Sequence, residues 1–298
     1  MPRRPRLHLP GGLYHVILRG NGRGEIFFDA DDRRHWQSLI EKGLDRFEHR
    51  IHAYCWMTNH VHMAIQCGDL PLSNFISFVA SQYARSTNKK LNRSGHLFER
   101  RHRAILVQAD SYLKELIRYI HLNPLRAGLV DALSDYEWSS HAAYVSGEAP
   151  NWLTLDWVLS AFGETHADAR QCYARFMQVD CRSSIEDKLR RGQDDDTRVL
   201  GDEGFIASLG SIGHRAATHQ TLDDLALAVA QQYGVTIAEL KSLSRQRKFS
   251  RSRAEIALAA IEGGVATNAE VARYFNRSQS VLSLAVSRLR KRARGTNK

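Results

Sequence analysis

Two histidines one residue apart, His60 and His62, lie in the run Thr58-Asn59-His60-Val61-His62-Met63-Ala64-Ile65. The run follows an apolar stretch, Ala53-Tyr54-Cys55-Trp56-Met57, and reads as a buried strand entered through a short turn. Residues two apart in a strand share a face, which sets His60 beside His62 and turns Val61 and Met63 into the core. Two neutral imidazoles on one face can hold a divalent cation. Among fourteen histidines about one such pair is expected by chance, so the pattern alone does not separate a metal pair from a surface pair.

A second group lies downstream in residues 111–124. Leu113, Leu116, Ile117 and Ile120 recur at helical spacing, which predicts an amphipathic helix capped by Asp110 or Ser111. Tyr119 and Asn123 are four apart and share a face beside the apolar stripe. Next to two histidines they would supply a nucleophile and a side-chain oxygen. On the helix alone the same residues equally describe a core tyrosine and an asparagine that ends the helix before Pro124.

Together with Gly11-Gly12-Leu13-Tyr14-His15-Val16 and Gly95-His96-Leu97-Phe98-Glu99-Arg100-Arg101, these stretches resemble the single-tyrosine HUH transposases. The likeness is in particular to the REP-associated tyrosine transposases, which act on palindromic repeats in bacterial genomes. The motifs keep the family's order and cover about residues 10–145. The resemblance implies that His60, His62 and Asn123 bind a metal, Mg²⁺ or Mn²⁺, and that Tyr119 attacks DNA. Some relatives carry glutamine where this chain has the shorter Asn123.

The surrounding elements must place these groups. A strand is expected over 13–20 and a helix over 31–46 carrying Trp36, Leu39, Ile40 and Leu44 inward. Strands are expected over 50–57 and 60–66, a helix over 71–88, a fourth strand over 96–107, then the tyrosine helix. The order β-α-β-β-α-β-α is that of a ferredoxin-like split βαβ domain with an antiparallel sheet, so the fold class is α+β. Gly128 is placed to end the helical segment after Pro124. Arg100, Arg101 and Arg103 flank the fourth strand and are candidates to grip phosphates. An edge strand guarded by charge reads the same way.

At 298 residues the chain has room for two domains. No apolar run is long enough to cross a bilayer, and no apolar signal core follows the basic start. Cys55, Cys67, Cys172 and Cys181 form no C-x-x-C pair and read as reduced thiols in a cytoplasmic protein, which the resemblance implies is bacterial and nucleoid-associated. The division expected is a catalytic domain over 1–150, a helical extension over 151–219 with a mobile linker within about 192–219, and an all-α domain over 220–298. No chemistry announces itself in 151–219.

Net charge is +10, and residues 243–298 hold 13 Lys/Arg against 3 Glu, which is 13 − 3 = +10. A basic end suits phosphate backbones. Thr221-x-x-Asp224 approximates a capping box, and Thr267-Asn268-Ala269-Glu270 is a full one. Two helices across the turn at Asn276-Arg277 describe a helix-turn-helix. The region 221–292 resembles the carboxy-terminal DNA-binding domain of the replication initiator DnaA. That resemblance implies duplex contacts from Arg245, Arg247, Lys248, Arg251 and Arg253 in a basic loop. It also implies contacts from Ser278, Gln279 and Ser280 at the start of the last helix.

The favoured function is metal-dependent cleavage and rejoining of single-stranded hairpin DNA through a 5′-phosphotyrosine, as in DNA transposition. The alternatives are a DNA-binding regulator on a transposase-derived fold, and a metal phosphodiesterase with water as nucleophile. Monomer and homodimer stay open.

Overall fold

A computed structural model describes residues 7–99, 102–178, 185–216, 221–242, 244, 246–262, 265–266 and 268–295. They form two compact units, 1–207 and 208–298. Arg100, Arg101, Arg245, Thr267 and Cys181 lie outside the described residues.

The first unit holds β1 (Leu13–Arg19), α1 (Ala30–Phe47), β2 (Arg50–Met57), β3 (His60–Gln66), α2 (Leu72–Lys90), β4 (Arg103–Val107) and α3 (Ala109–Arg126). This is the element order expected of the split βαβ domain. Further along come α4 (His141–Ser146), α5 (Asp156–Leu159), α6 (His166–Gln178), α7 (Ile185–Arg191), β5 (Val199–Leu200) and the start of α8 (Glu203–Ala216). The sheet order is β2-β3-β1-β4-β5, antiparallel except for the parallel β4–β5 pair. The fourth strand is shorter than expected and begins at Arg103. The stretch expected as a mobile linker contains β5 and α8.

Both faces of the sheet are covered, which is why its strands are apolar rather than alternating. Trp36 of α1 meets Trp56 of β2 edge to face, at 6.1 Å between ring centres. Val61, Met63 and Ile65 pair with Leu18, Val16 and Tyr14 on that side, and all six are buried. Gly43 lets α1 approach α2, since a Cβ there would stand 2.7 Å from the Phe75 ring. The opposite face packs under α3, whose Leu116, Ile117 and Ile120 are fully buried.

α3 starts at Ala109, with Gln108 in the cap position and Asp110 in the first turn, where a carboxylate favours the helix dipole. It runs through Pro124 to Arg126, and Gly128 follows in the left-handed region at φ +64°. Pro124 cannot donate to the Ile120 carbonyl. The Asn123 amide folds back instead, its Nδ2 lying 2.7 Å from the Tyr119 backbone carbonyl oxygen and 3.5 Å from that of Ile120.

The second unit contains α9 (Leu222–Tyr233), α10 (Ile237–Lys241), α11 (Arg247–Glu262), α12 (Asn268–Tyr274) and α13 (Gln279–Gly295) around Ile256, Ala257, Ala260, Val271 and Phe275. Thr221 and Asp224 form the expected capping box, and Thr236 with Glu239 forms another. Most of the expected basic loop is the opening of α11.

Several histidines are structural. His121 Nδ1 lies 2.8 Å from the Tyr173 hydroxyl, which lies 2.6 Å from His141 Nδ1. Burial pushes His49 down to about 4, His121 well below the usual imidazole range, and lowers His52 and His141. Their folded-state pKa values lie below the unfolded ones, so the unfolded state binds more protons below about pH 6.5 and stability falls as pH falls there. Unfolding free energies from urea titrations at pH 7, 6 and 5 should fall, with a slope that approaches about 1.4 kcal/mol per pH unit for each histidine that stays neutral in the fold. A flat dependence over that range would contradict this assignment.

Candidate active site

Antiparallel pairing decides which side chains share the α3 face. His62 pairs with Ile17 and Cys55, His60 with Arg19 and Met57, and Ala64 with His15. His15 and His62 are therefore diagonal neighbours across β1 and β3, separated by the small Ala64 rather than blocked by a branched residue. His15 is 0% exposed and His62 3% exposed, while His60 at the strand start is half-buried.

Tyr119 sits above this face. Its ring stands edge-on to His62 at 5.6 Å and to His15 at 5.4 Å. His60 and His62 meet at 4.9 Å and 82°. The structure thus brings His60, His62 and Tyr119 together as the sequence predicts, and it adds His15. No ring contact joins Tyr112 to these histidines among the described residues. The Tyr119 hydroxyl has no hydrogen-bond partner among the described residues. Asn123 shares the end of the helix, and because its Nδ2 donates to helix carbonyls, its Oδ1 is the atom left for a cation.

Hydrogen bonds orient the imidazoles. His60 Nδ1 lies 2.6 Å from Asn59 Oδ1. His62 Nδ1 lies 2.9 Å from His15 Nε2, and His15 Nδ1 lies 2.8 Å from the Leu189 carbonyl oxygen. Leu189 belongs to α7, in the extension where the sequence shows no chemistry. α7 is also tied down by the Arg126–Glu186 ion pair and by Arg103, which donates to the Arg191 carbonyl.

The electrostatics are one-sided. Burial lowers His15 and His60 to about 4 and His62 well below the usual range, leaving unprotonated nitrogens. Burial raises the Tyr119 phenol above its ordinary value, and the guanidiniums of Arg190, Arg126 and Arg19 oppose that rise. Arg126 lies 5.8 Å from the Tyr119 ring centre. Among the described residues no three His, Cys, Asp or Glu side chains converge to hold a metal. The donors that could hold a divalent cation here are the His60 and His62 imidazoles, with the Asn123 amide oxygen at the end of α3.

The other nucleic-acid candidates divide. Arg103 is exposed on the histidine face but spends one nitrogen on α7. Arg247, Lys248, Arg251, Ser278, Gln279 and Ser280 are exposed, though Arg251 also bonds Glu255 at 3.0 Å. Arg253 is a correction. It is 3% exposed and its guanidinium donates to the carbonyls of Leu240, Glu239, Ser242 and Ser244, so it locks the end of α10 and has no face for a phosphate. Arg277, which the sequence did not single out, reaches the Ser242 and Ser244 carbonyls beside it.

Residues 10–123 match the family described as Transposase IS200 like. A Haemophilus influenzae protein described as a REP-associated tyrosine transposase is 23% identical over 149 residues, covering 46% of this chain and 84% of its own. A solved structure titled as a REP-associated tyrosine transposase bound to a REP hairpin aligns at 18% identity and a TM-score of 0.44, over 52% of this chain and 92% of its own. The family match ends at Asn123, so the matched segment spans the strands that carry the histidines and the helix that carries Tyr119, and this segment is similar to the IS200-like transposases.

Proposed function

We propose that the first unit cleaves and rejoins single-stranded DNA at hairpin-forming palindromic repeats, the substrate class implied by the motif resemblance. The observation that supports this most is the Tyr119 ring set edge-on against two buried histidines, with no hydrogen bond to its hydroxyl among the described residues. A phenol so placed is available to a substrate. A Mg²⁺ or Mn²⁺ held by His60, His62 and Asn123 would polarise a phosphodiester and orient it for in-line attack. The Tyr119 phenol gives up its proton to solvent as its oxygen forms a bond to phosphorus, the bond from phosphorus to the 3′-oxygen breaks, and that oxygen takes up a proton from solvent. The product is a 5′-phosphotyrosine and a free 3′-hydroxyl, and reversal by another 3′-hydroxyl rejoins the strand. Arg126, Arg190 and Arg19 favour the phenolate against burial, and their positive charge suits a phosphate.

The second unit, on this reading, binds duplex DNA. α12 and α13 meet across a tight turn in which Asn276 adopts φ +52°, and Ser278, Gln279 and Ser280 stand exposed where α13 begins. Exposed Arg247 and Lys248 open α11. Gln279 can pair with an adenine edge. A nuclease tethered beside its repeats gains local concentration.

Incubation of the full chain with a hairpin oligonucleotide and Mn²⁺ should give a covalent adduct, by mass, on Tyr119. Tyr119→Phe should lose it while keeping unfolding free energy within about 0.5 kcal/mol, because an unbonded hydroxyl is removed. His60→Ala, or excess chelator, should abolish cleavage of the same oligonucleotide. Cleavage without an adduct would instead identify water as the nucleophile. Duplex binding with no cleavage under any metal would identify a regulator.

Duplex affinity of the full chain should fall steeply with salt. Arg247→Ala with Lys248→Ala should lessen the log–log salt slope by roughly 2, at about 0.9 per phosphate contact. Gln279→Ala should mainly change sequence preference. Arg253→Ala should act differently, lowering stability before affinity, since four carbonyls lose their donor. An unchanged salt slope in the double variant would remove Arg247 and Lys248 from the duplex interface.

A further inference from the structure

The contacts of His15 run in one direction. A carbonyl oxygen only accepts, so the bond to Leu189 requires the proton of His15 to be on Nδ1. A neutral His15 then presents a lone pair at Nε2. The partner there is His62 Nδ1, which must donate. The two rings lie 5.1 Å apart at 18°, so the bond runs between ring edges. His62 is left with a bare Nε2, the form a cation requires.

The Leu189 carbonyl is free for this because of how α7 ends. The last carbonyls of a helix have no partners within it. The Lys188 carbonyl takes the Gly192 amide, but the Gln193 amide turns away to Val199. The Leu189 carbonyl, whose helical partner would be that amide, receives His15 instead, and the Arg191 carbonyl receives Arg103. The negative end of α7 thus faces two donors from the sheet. Leu189 itself is fully buried. His15 is fully buried, an environment that favours the uncharged ring.

We infer that His15 is a positioning residue that fixes His62 in its Nδ1–H tautomer, and that the α7 backbone at Leu189 is the fixed point from which this order is set. The element lies outside the transposase-like segment, so the extension completes the site instead of merely following it. The catalytic consequence rests on the metal reading of His62, but the tautomer does not.

Long-range ¹H–¹⁵N correlation spectra of the metal-free full chain report the tautomer of each imidazole. His62 should show a protonated Nδ1 and a bare Nε2 in the wild type. In His15→Phe, which fills the space but cannot accept, that preference should be lost, and Mn²⁺ affinity by electron paramagnetic resonance should fall roughly 10- to 100-fold. His15→Gln offers an acceptor near the position of Nε2 and should restore the Nδ1–H form and part of the affinity. A protonated Nε2 on wild-type His62, or an unchanged tautomer in a folded His15→Phe, would overturn the inference. The expected tautomers with no Mn²⁺ binding in any variant would uphold it and defeat the metal reading above.

Discussion

Ser140 sits where three parts of the first unit meet. Its hydroxyl accepts from the Tyr54 amide at 2.9 Å, and His121 Nε2 lies 2.6 Å from the same oxygen. The other nitrogen of His121 meets Tyr173 on α6, which also bonds His141. A buried network of this kind holds one geometry well when every member is satisfied. Here it pins α3 between β2 and the helices that follow. His121 is two residues from Tyr119, so the clamp and the Tyr119 ring occupy different sides of one rigid helix turn. The height of Tyr119 above the histidines depends on that clamp.

The same helix is loaded on its other side by charge. Arg126 pairs with Glu186, Arg103 reaches the end of α7, and Arg190 lies close enough to act on the Tyr119 phenol. Half-buried or exposed pairs of this kind stabilise little. Their effect here is directional. They hold α7 against the sheet and surround a buried phenol with guanidiniums, which favours its ionised form in a place that burial alone makes hostile to charge.

His60, His62 and Tyr119 were legible because strand and helix periodicities place them on faces without any knowledge of packing. Asn123 was legible as a helix-face residue, but the return of its amide to the Tyr119 and Ile120 carbonyls depends on Pro124 being tolerated inside the last turn. His15 stood in a quoted motif, yet nothing local marks it as a partner of His62. Its role arises from sheet register and from a carbonyl 174 residues away. Arg253 misled for a similar reason. A basic run looks like a phosphate-binding surface, and only the fold shows one of its members buried under four carbonyls. The extension was silent because backbone carbonyls carry no sequence signal.

β5 has a bearing on how copies of this chain can meet. It adds only two residues to the sheet, yet the Leu106 and Gln108 amides bond across to Arg198 and Leu200. At the far side, the β2 backbone is occupied by Trp138, Ser140 and Thr154. Both flanks of the sheet thus have much of their backbone already engaged. An open flank is a template on which another chain can add a strand. Strand addition beside β2 would have to displace those contacts, and a chain cut short before Val199 would uncover β4 and invite strand-to-strand aggregation.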